Sequence, residues 1–191
     1  MMTKSILIVG VGGQGTLLAS RLLGRALLAK GYDVKISEVH GMSQRGGSVV
    51  TYVRYGDKVA SPIIEKGEAD IILSFEQLEA ARWLPYLKKD GTIVCNTQKM
   101  DPMPVITGAA KYPEKVLDRV EAAGAKVQRV DALRLALEAG SPKAVNVALI
   151  GVLAKNTDID REIWEETIKT TVPPKFVELN EKAFALGYET K

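Results

Sequence analysis

Runs of β-branched and aliphatic residues alternate along this chain with stretches whose apolar positions recur at helical spacing. Residues 6–9 form a continuous apolar run, as expected of a strand that is buried on both faces of a parallel sheet. Residues 17–30 predict a helix, because Leu18, Leu22 and Ala26 recur at a spacing that places them on one face. The chain therefore opens with a strand, a glycine-rich turn and a helix.

The same alternation continues through the middle of the chain. Further strands are predicted at residues 33–38, 48–55, 69–74, 92–96 and 126–130. Further helices are predicted at residues 76–87, 113–123 and 131–139. Pro85 lies inside the first of these helices and is expected to kink it or end it early. Residues 98–112, which contain two prolines and a glycine, are interpreted as a connection and not a domain boundary, because the alternating pattern resumes after them.

The last third of the chain is predicted to be helical. Ser141 is placed as an N-cap with Pro142 at the first helical position, and the helix that follows is apolar nearly all round, which predicts deep burial. Another helix is predicted at 160–170, and a final one is expected to end at Gly187. Together the elements predict one domain over residues 1–191. Its fold class is α/β, a Rossmann-like three-layer sandwich with a mainly parallel sheet and a helical C-terminal portion.

Composition narrows the classes of function. Of 191 residues, 46% are hydrophobic and 26% are charged, and the formal net charge is +3, without the dense basic patch that nucleic-acid binding requires. The apolar run at 6–9 is too short for a signal peptide, and no segment reaches the length of a membrane span, so a cytoplasmic location and no membrane or nucleic-acid partner are expected. The single cysteine, Cys95, excludes an internal disulfide, an iron–sulfur cluster and a cysteine-based zinc site, and no other metal site is predicted. Cys95 is interpreted as a small residue of the core.

The first turn has the spacing G-x-G-x-x-G, formed by Gly10, Gly12 and Gly15, with Gly13 and Gln14 between them. After a strand and before a helix, this spacing favours a tight turn, close approach of a ligand and an anion at the helix N-terminus. We therefore take these five residues as candidate cofactor-binding residues. Glu38 lies near the position where a dinucleotide-binding domain has an acidic residue for the ribose. The alternative is that the glycines only allow a compact turn.

A second loop follows the strand at 33–38 and is more informative. Within a few positions it contains the chain's only histidine and several hydrogen-bonding and small residues, namely His40, Ser43, Gln44, Arg45, Gly46 and Gly47. Arg45 is a fixed cation suited to a carboxylate or a phosphate, and the two glycines would allow close approach of a ligand or a partner chain. His40, Gln44 and Arg45 are candidate catalytic residues, and all but His40 are candidate binding residues. Each has a structural alternative: a turn cap for His40, a surface ion pair for Arg45 and a simple bend for the glycines.

The two loops together carry a family resemblance. The turn GVGGQG, followed from Glu38 by E-x-H-G-M-S-Q-R-G-G, resembles the gamma-type domain of the 2-oxoacid:ferredoxin oxidoreductases. The resemblance continues through ADIILSFE, the apolar helix with Asn146 and the closing NEKAFALGY, and so covers nearly the whole chain. Among separate small subunits of that family, length and pattern are most similar to those of the indolepyruvate enzymes. The gamma subunits of pyruvate and ketoisovalerate enzymes are the alternative.

The resemblance implies oxidative decarboxylation of a 2-oxoacid, with coenzyme A as co-substrate that receives the acyl group. It places thiamine diphosphate, magnesium and iron–sulfur clusters on a larger partner subunit, and ferredoxin would interact only indirectly. This chain binds none of these cofactors tightly and would not be active alone. Its role would be to help close the substrate or coenzyme A cavity. A homodimer is one state open to the isolated chain.

Two other classes of function remain at this stage. In one, the chain is a free-standing NAD(P)-binding oxidoreductase that uses the glycine turn and Glu38 for the cofactor and His40 as acid or base. Against it, no separate catalytic domain remains once the fold is built. In the other, the chain is a scaffold without a ligand, and changes in the second loop would harm only assembly.

Overall fold

The computed structural model describes residues 3–38 and 47–190. Its strands are β1 (Lys4–Val11), β2 (Asp33–Glu38), β3 (Ser48–Gly56), β4 (Ala69–Ser74), β5 (Leu87–Asn96) and β6 (Lys126–Val130). The first four helices are α1 (Thr16–Ala29), α2 (Gln77–Trp83), α3 (Met103–Ile106) and α4 (Val116–Ala122). The other four are α5 (Ala132–Ala139), α6 (Val145–Ala154), α7 (Arg161–Thr171) and α8 (Val177–Glu189).

The described strands form one sheet in the order β2-β3-β1-β4-β5-β6. Neighbours from β1 to β6 pair in parallel, whereas β3 is antiparallel to both β1 and β2. The predicted α/β fold with a mainly parallel sheet is therefore confirmed, with β3 as the antiparallel exception. Because β3 lies between β2 and β1, the carboxyl ends of the five parallel strands and the start of β3 share one edge of the sheet, which is called the upper edge below.

The sheet separates two apolar cores, as expected of three layers. One face packs against α1, α5, α6, α7 and α8, with Trp164 and Phe184 among its fully buried side chains. The other face is covered by α2, α4 and part of the connection after β3, and Cys95 lies in this core. Helix α6 has nine buried residues in ten, which confirms the burial predicted from its apolar sequence. Within the described ranges, no helix combines the length and apolar character needed to cross a bilayer.

Several predicted boundaries were wrong, each for a local reason. Helix α2 ends at Trp83 and not at residue 87, and Pro85 lies in a short 3-10 turn after it, which confirms the prediction that the proline ends the helix early. Strand β5 begins at Leu87 and not at Thr92, because the pairing with β4 shifts register and absorbs the intervening turn as an irregularity within the strand. Helix α4 begins at Val116, after Lys115 in the left-handed conformation, and not at Pro113.

Two further differences lie in the connection after β5 and in the last helix. The connection 98–112 contains the short helix α3, whose side chains are largely exposed. The final helix continues through Gly187 to Glu189 instead of ending there. Gly187 is an interior residue of α8 because a Cβ at that position would overlap the carbonyl oxygen of Ala148 in α6. The glycine serves close packing of two helices and not a helix end.

Candidate functional site

The glycine turn joins β1 to α1 at the upper edge of the sheet. Gly13 and Gly15 have φ angles of 99° and 83°, in the left-handed region that side chains adopt at a cost. Gly15 is the N-cap of α1, and no side chain of the described residues caps the helix there. The first turn of α1 has no acidic residue. The free N–H groups and the positive end of the helix dipole thus face outward from this edge, as an anion site requires.

Gln14 is engaged inside the protein. Its Oε1 accepts the backbone N–H of Val11 at 2.8 Å, and its Nε2 donates to the carbonyl of Phe75 at 3.1 Å. The amide therefore braces the end of β1 against the residue that follows β4. A Cβ on Gly10 would lie 2.9 Å from both Gln14 Oε1 and Phe75 Cβ, so Gly10 makes room for this brace. A cofactor contact by Gln14 or Gly10 stays a prediction.

The third glycine of the turn packs against helix α6. Asn146 Nδ2 donates to the carbonyl of Gly15 at 3.3 Å, and a Cβ on Gly15 would lie 2.6 Å from that nitrogen. Asn146 is 7% exposed, so this contact is buried. The turn is thus fixed by Gln14 on one side and by Asn146 on the other.

Most of the second loop lies outside the described residues. His40, Ser43, Gln44, Arg45 and Gly46 belong to this group, and their predicted roles stay predictions. Its last residue, Gly47, is described, and its carbonyl accepts the N–H of Gly12 at 2.9 Å. The pairing continues directly into β3, where Ser48 lies opposite Val11. The end of the second loop therefore lies beside the glycine turn at Gly47.

A groove of about 290 Å³ lies beside the turn. Its walls are the glycine turn, the first residues of α1, Glu38 at the end of β2 and the beginning of β3. Thr51 of β3 lies opposite Glu38 in the sheet and is 4% exposed. Glu38 accepts a hydrogen bond from Ser20 of α1. The groove therefore combines backbone N–H donors at the helix start with one carboxylate.

The strand order bears on the dinucleotide interpretation. In a dinucleotide-binding fold the second strand lies directly beside the first, which brings its terminal acid to the ribose. Here β3 separates β2 from β1, so Glu38 lies two strands away, about 10 Å at ordinary strand spacing. Its carboxylate is also committed to Ser20. This geometry favours a role for the glycine turn other than that of an ordinary NAD cradle.

Two buried carboxylates at the same edge were missed by the sequence analysis. Glu76 is 1% exposed and caps α2, accepting the N–H groups of Leu78 at 2.6 Å and Glu79 at 3.0 Å. Its other oxygen accepts the N–H of Met100 at 3.2 Å and the hydroxyl of Tyr112. Burial, and then the hydrogen bond to Glu76, raise the pKa of the Tyr112 hydroxyl above its usual range. Glu76 thus holds both ends of the exposed stretch between Met100 and Tyr112, and the sequence signal was an acidic residue directly after a buried strand.

The second missed carboxylate is Glu79, which is 4% exposed. One oxygen accepts the hydroxyl of Ser48 at 2.5 Å, and the other accepts Arg82 Nε at 3.1 Å. Ser48 directly follows the second loop. Glu79 therefore links helix α2 to the strand that carries this loop.

Cys95 is fully buried, as predicted, and burial raises the pKa of its thiol to about 12. A thiol in this state is neither a nucleophile nor a ready metal ligand at neutral pH. Among residues 3–38 and 47–190, no group of histidine, cysteine and acidic side chains is arranged to hold a metal ion.

Comparison with known sequences places these features in a family. The chain matches the family described as "Pyruvate ferredoxin/flavodoxin oxidoreductase" over residues 5–190. It is 45% identical to indolepyruvate oxidoreductase subunit IorB of Thermococcus kodakarensis, over 98% of this chain and 95% of that protein. The identity to the pyruvate/ketoisovalerate oxidoreductases common subunit gamma of Pyrococcus abyssi is 29%, over 94% and 92% of the two chains.

Solved structures share the fold. The gamma subunit of a keto/oxoacid ferredoxin oxidoreductase from Geobacter sulfurreducens superimposes with a TM-score of 0.72 at 23% identity, covering 97% of this chain and 96% of that one. The 2-oxoglutarate:ferredoxin oxidoreductase of Magnetococcus marinus, solved with 2-oxoglutarate, coenzyme A and succinyl-CoA bound, gives 0.74 at 17% identity, covering 100% of this chain and 32% of that one. Since the family match spans nearly all residues, this chain belongs to the pyruvate ferredoxin/flavodoxin oxidoreductase family.

Proposed function

We propose that this chain is the small subunit of an indolepyruvate:ferredoxin oxidoreductase. The observation that carries the proposal is the contrast in identity between two kinds of relative. Identity to indolepyruvate oxidoreductase subunits of Thermococcus kodakarensis and Pyrococcus horikoshii is 45% and 46%, whereas identity to the gamma subunit common to pyruvate and ketoisovalerate enzymes is 29%. The substrate is accordingly an aryl 2-oxoacid. The second candidate function is that of a gamma subunit of a pyruvate or ketoisovalerate enzyme.

The iron–sulfur clusters of this reaction do not fit this chain. Its single cysteine is buried in the core, so it cannot supply the thiolates of an iron–sulfur cluster. We therefore assign thiamine diphosphate, its magnesium ion and the clusters to a larger partner subunit, which also passes electrons to ferredoxin. Those cofactors supply the chemistry of decarboxylation and electron transfer, and this chain shapes the cavity in which a 2-oxoacid and coenzyme A meet them.

The two loops at the upper edge form this chain's part of the cavity. In the proposal, Arg45 faces the carboxylate of the 2-oxoacid or a phosphate of coenzyme A, for which its planar five-donor group is suited. His40 and Gln44 supply further hydrogen-bonding groups beside it. The uncapped start of α1 gives the same side of the cavity a second preference for anions. The bond between Gly12 and Gly47 supports this arrangement, because it joins the two loops directly.

The proposal is tested by co-expressing the chain with its candidate large subunit. Dye reduction that depends on both a 2-oxoacid and coenzyme A is measured with indolepyruvate, pyruvate and a branched 2-oxoacid. Activity is expected to be highest with indolepyruvate. A preference for pyruvate or the branched acid would favour the gamma-subunit assignment, and the absence of both a complex and activity would contradict the proposal.

Arg45→Ala in the assembled enzyme tests the loop itself. We expect at least about a tenfold loss of turnover efficiency, the usual cost of losing a charge-assisted contact, with the complex intact by gel filtration. Arg134→Ala is the matched control, because Arg134 is an exposed arginine on α5 that pairs only with Glu138 among the described residues. Unchanged kinetics for Arg45→Ala would remove Arg45 from the mechanism. Loss of assembly without a kinetic effect would favour the scaffold function.

The NAD(P) alternative has a direct test on the isolated chain. Titration with NADH or NADPH, followed by nicotinamide fluorescence, is expected to show no saturable binding. Tight binding would support a free-standing oxidoreductase. Light scattering of the same sample shows whether the isolated chain is a monomer or a homodimer.

A further inference from the structure

Glu79 is a buried carboxylate that accepts hydrogen bonds from two side chains. Ser48 donates its hydroxyl to Oε2 at 2.5 Å. Arg82 donates Nε to Oε1 at 3.1 Å and leaves about half of its side chain in solvent. Both oxygens of this buried carboxylate are therefore hydrogen-bonded, which offsets the cost of burying a polar group.

The place of Glu79 in its helix shows that this arrangement is not a helix cap. Glu79 is the third residue of α2, where a glutamate commonly folds back to the N-cap N–H in a capping box. Here the N-cap is Glu76, whose own carboxylate binds the free N–H groups of the helix start. The Glu79 carboxylate is bonded instead to Ser48 and Arg82, and so reaches across to the beginning of β3.

The residue that Glu79 holds is the junction between the second loop and the sheet. Ser48 pairs with Val11, the last residue of β1, and the preceding Gly47 accepts the N–H of Gly12. The glycine turn, strand β3 and helix α2 therefore meet at residues 47 and 48. The hydrogen bond from Ser48 makes this junction depend in part on a side chain.

We propose that Glu79 is a positioning residue, which fixes the end of the second loop beside the glycine turn through its hydrogen bond to Ser48. The inference rests on the proposed function, in which this loop faces the cavity of the assembled enzyme. Glu79 does not touch substrate. Its effect passes through Ser48 to Gly47 and the loop before it.

The test combines a structural and a kinetic measurement on Ser48→Ala, Glu79→Gln and Ser48→Thr. Ser48→Ala removes the donor, and Glu79→Gln places a neutral amide against Arg82 and Ser48. Ser48→Thr keeps the hydroxyl on a residue that strands accommodate well, and so should rescue. Glu138→Gln, an exposed carboxylate on α5, is the matched control.

Hydrogen exchange of the Gly12 amide, which donates to Gly47, and of the amides of residues 48–50 is measured in the isolated chain, and kcat and KM are measured in the assembled enzyme. We expect exchange about five to ten times faster in Ser48→Ala and Glu79→Gln, from loss of one hydrogen bond. KM for the 2-oxoacid or coenzyme A should rise by a similar factor, with a smaller change in kcat. Ser48→Thr and Glu138→Gln should resemble the unmodified protein in both measurements.

Two results would overturn the proposal. Equal exchange in Ser48→Ala and the unmodified chain would show that the bond does not hold the junction. Faster exchange with unchanged kcat and KM in an active complex would show that holding the junction has no effect on the reaction. Failure of the unmodified complex to act on any 2-oxoacid would contradict the proposed function instead, and the exchange comparison would still decide whether Glu79 holds the junction.

Discussion

Gly15 and Asn146 lie in direct contact, although 131 positions separate them in the sequence. The Asn146 side chain donates to the Gly15 carbonyl at 3.3 Å and occupies the space where a Cβ of residue 15 would be. The glycine of the nucleotide-like turn is therefore required by a neighbouring helix as well as by its own left-handed φ of 83°. This relationship separates what the turn needs for folding from what it offers to a ligand.

Replacing Gly15 with alanine should destabilise the protein more than the same change at Gly13. In Gly15→Ala, an alanine must adopt the left-handed conformation, which costs about 1–2 kcal/mol, and its Cβ overlaps Asn146. Together these effects should lower the free energy of unfolding by about 2–4 kcal/mol. Gly13 has a similar φ of 99°, but nothing lies within 4 Å of its added Cβ, so only the first cost applies. Chemical unfolding of both variants measures the difference. Equal losses would show that Asn146 yields without cost.

Replacing Gly187 with alanine should reverse the usual effect of this change in a helix. Glycine to alanine inside a helix normally stabilises by about 1 kcal/mol. Here the added Cβ meets the backbone of α6 at Ala148, which cannot rotate away, so a loss of about 3 kcal/mol is expected. Lys182→Ala, at an exposed position of the same helix, should change the free energy of unfolding by less than about 0.5 kcal/mol. A stabilised Gly187→Ala would mean that α6 and α8 can separate without cost.

Gln14→Ala should lower the stability of the isolated chain even without any ligand. The change leaves the Val11 N–H and the Phe75 carbonyl without the amide that bonds them, at a cost of about 1–3 kcal/mol. Thermal unfolding of the free chain measures this loss. If stability is unchanged while turnover of the assembled enzyme falls, the amide acts on a ligand and not as a brace.

Cys95 should resist thiol reagents in the folded protein. Burial raises its pKa to about 12, whereas the exposed thiol of the unfolded chain has a value near 9. At pH 8.5, labelling with iodoacetamide should be at least about a hundredfold slower in the native chain than in denaturant, because reaction requires the exposed thiolate. Stoichiometric labelling of the native protein would contradict the burial of this residue.

The same shift predicts the direction of alkaline destabilisation. Because the folded pKa lies above the unfolded one, the folded state retains a proton that the unfolded state loses. Stability from this group is complete below pH 9 and declines as the pH rises toward 12. The pH dependence of unfolding in Cys95→Ala should therefore be flatter over this range than in the unmodified chain. Parallel curves would show that Cys95 contributes nothing to it.

The sequence by itself determined the elements whose signals are local. Apolar periodicity located the strands and the buried helix α6, and cap chemistry located Ser141 at a helix start, where its side chain accepts a backbone N–H. The two loops that carry the family signature were also found, because their residues are consecutive. Boundaries failed where packing overrode local chemistry, as at Gly187, whose partner Ala148 is distant in the chain.

Only the tertiary structure decided which residues meet at the upper edge of the sheet. The insertion of β3 between β2 and β1 places Gly47 against Gly12 and moves Glu38 away from the position of a ribose-binding acid. Glu76 and Glu79 carry no sequence signal of their partners. In the structure both carboxylates are buried and accept the hydroxyls of Tyr112 and Ser48, respectively. The physical reason is that periodicity and turn chemistry are encoded by neighbouring residues, whereas strand order and the partner of a buried charge depend on how distant segments pack.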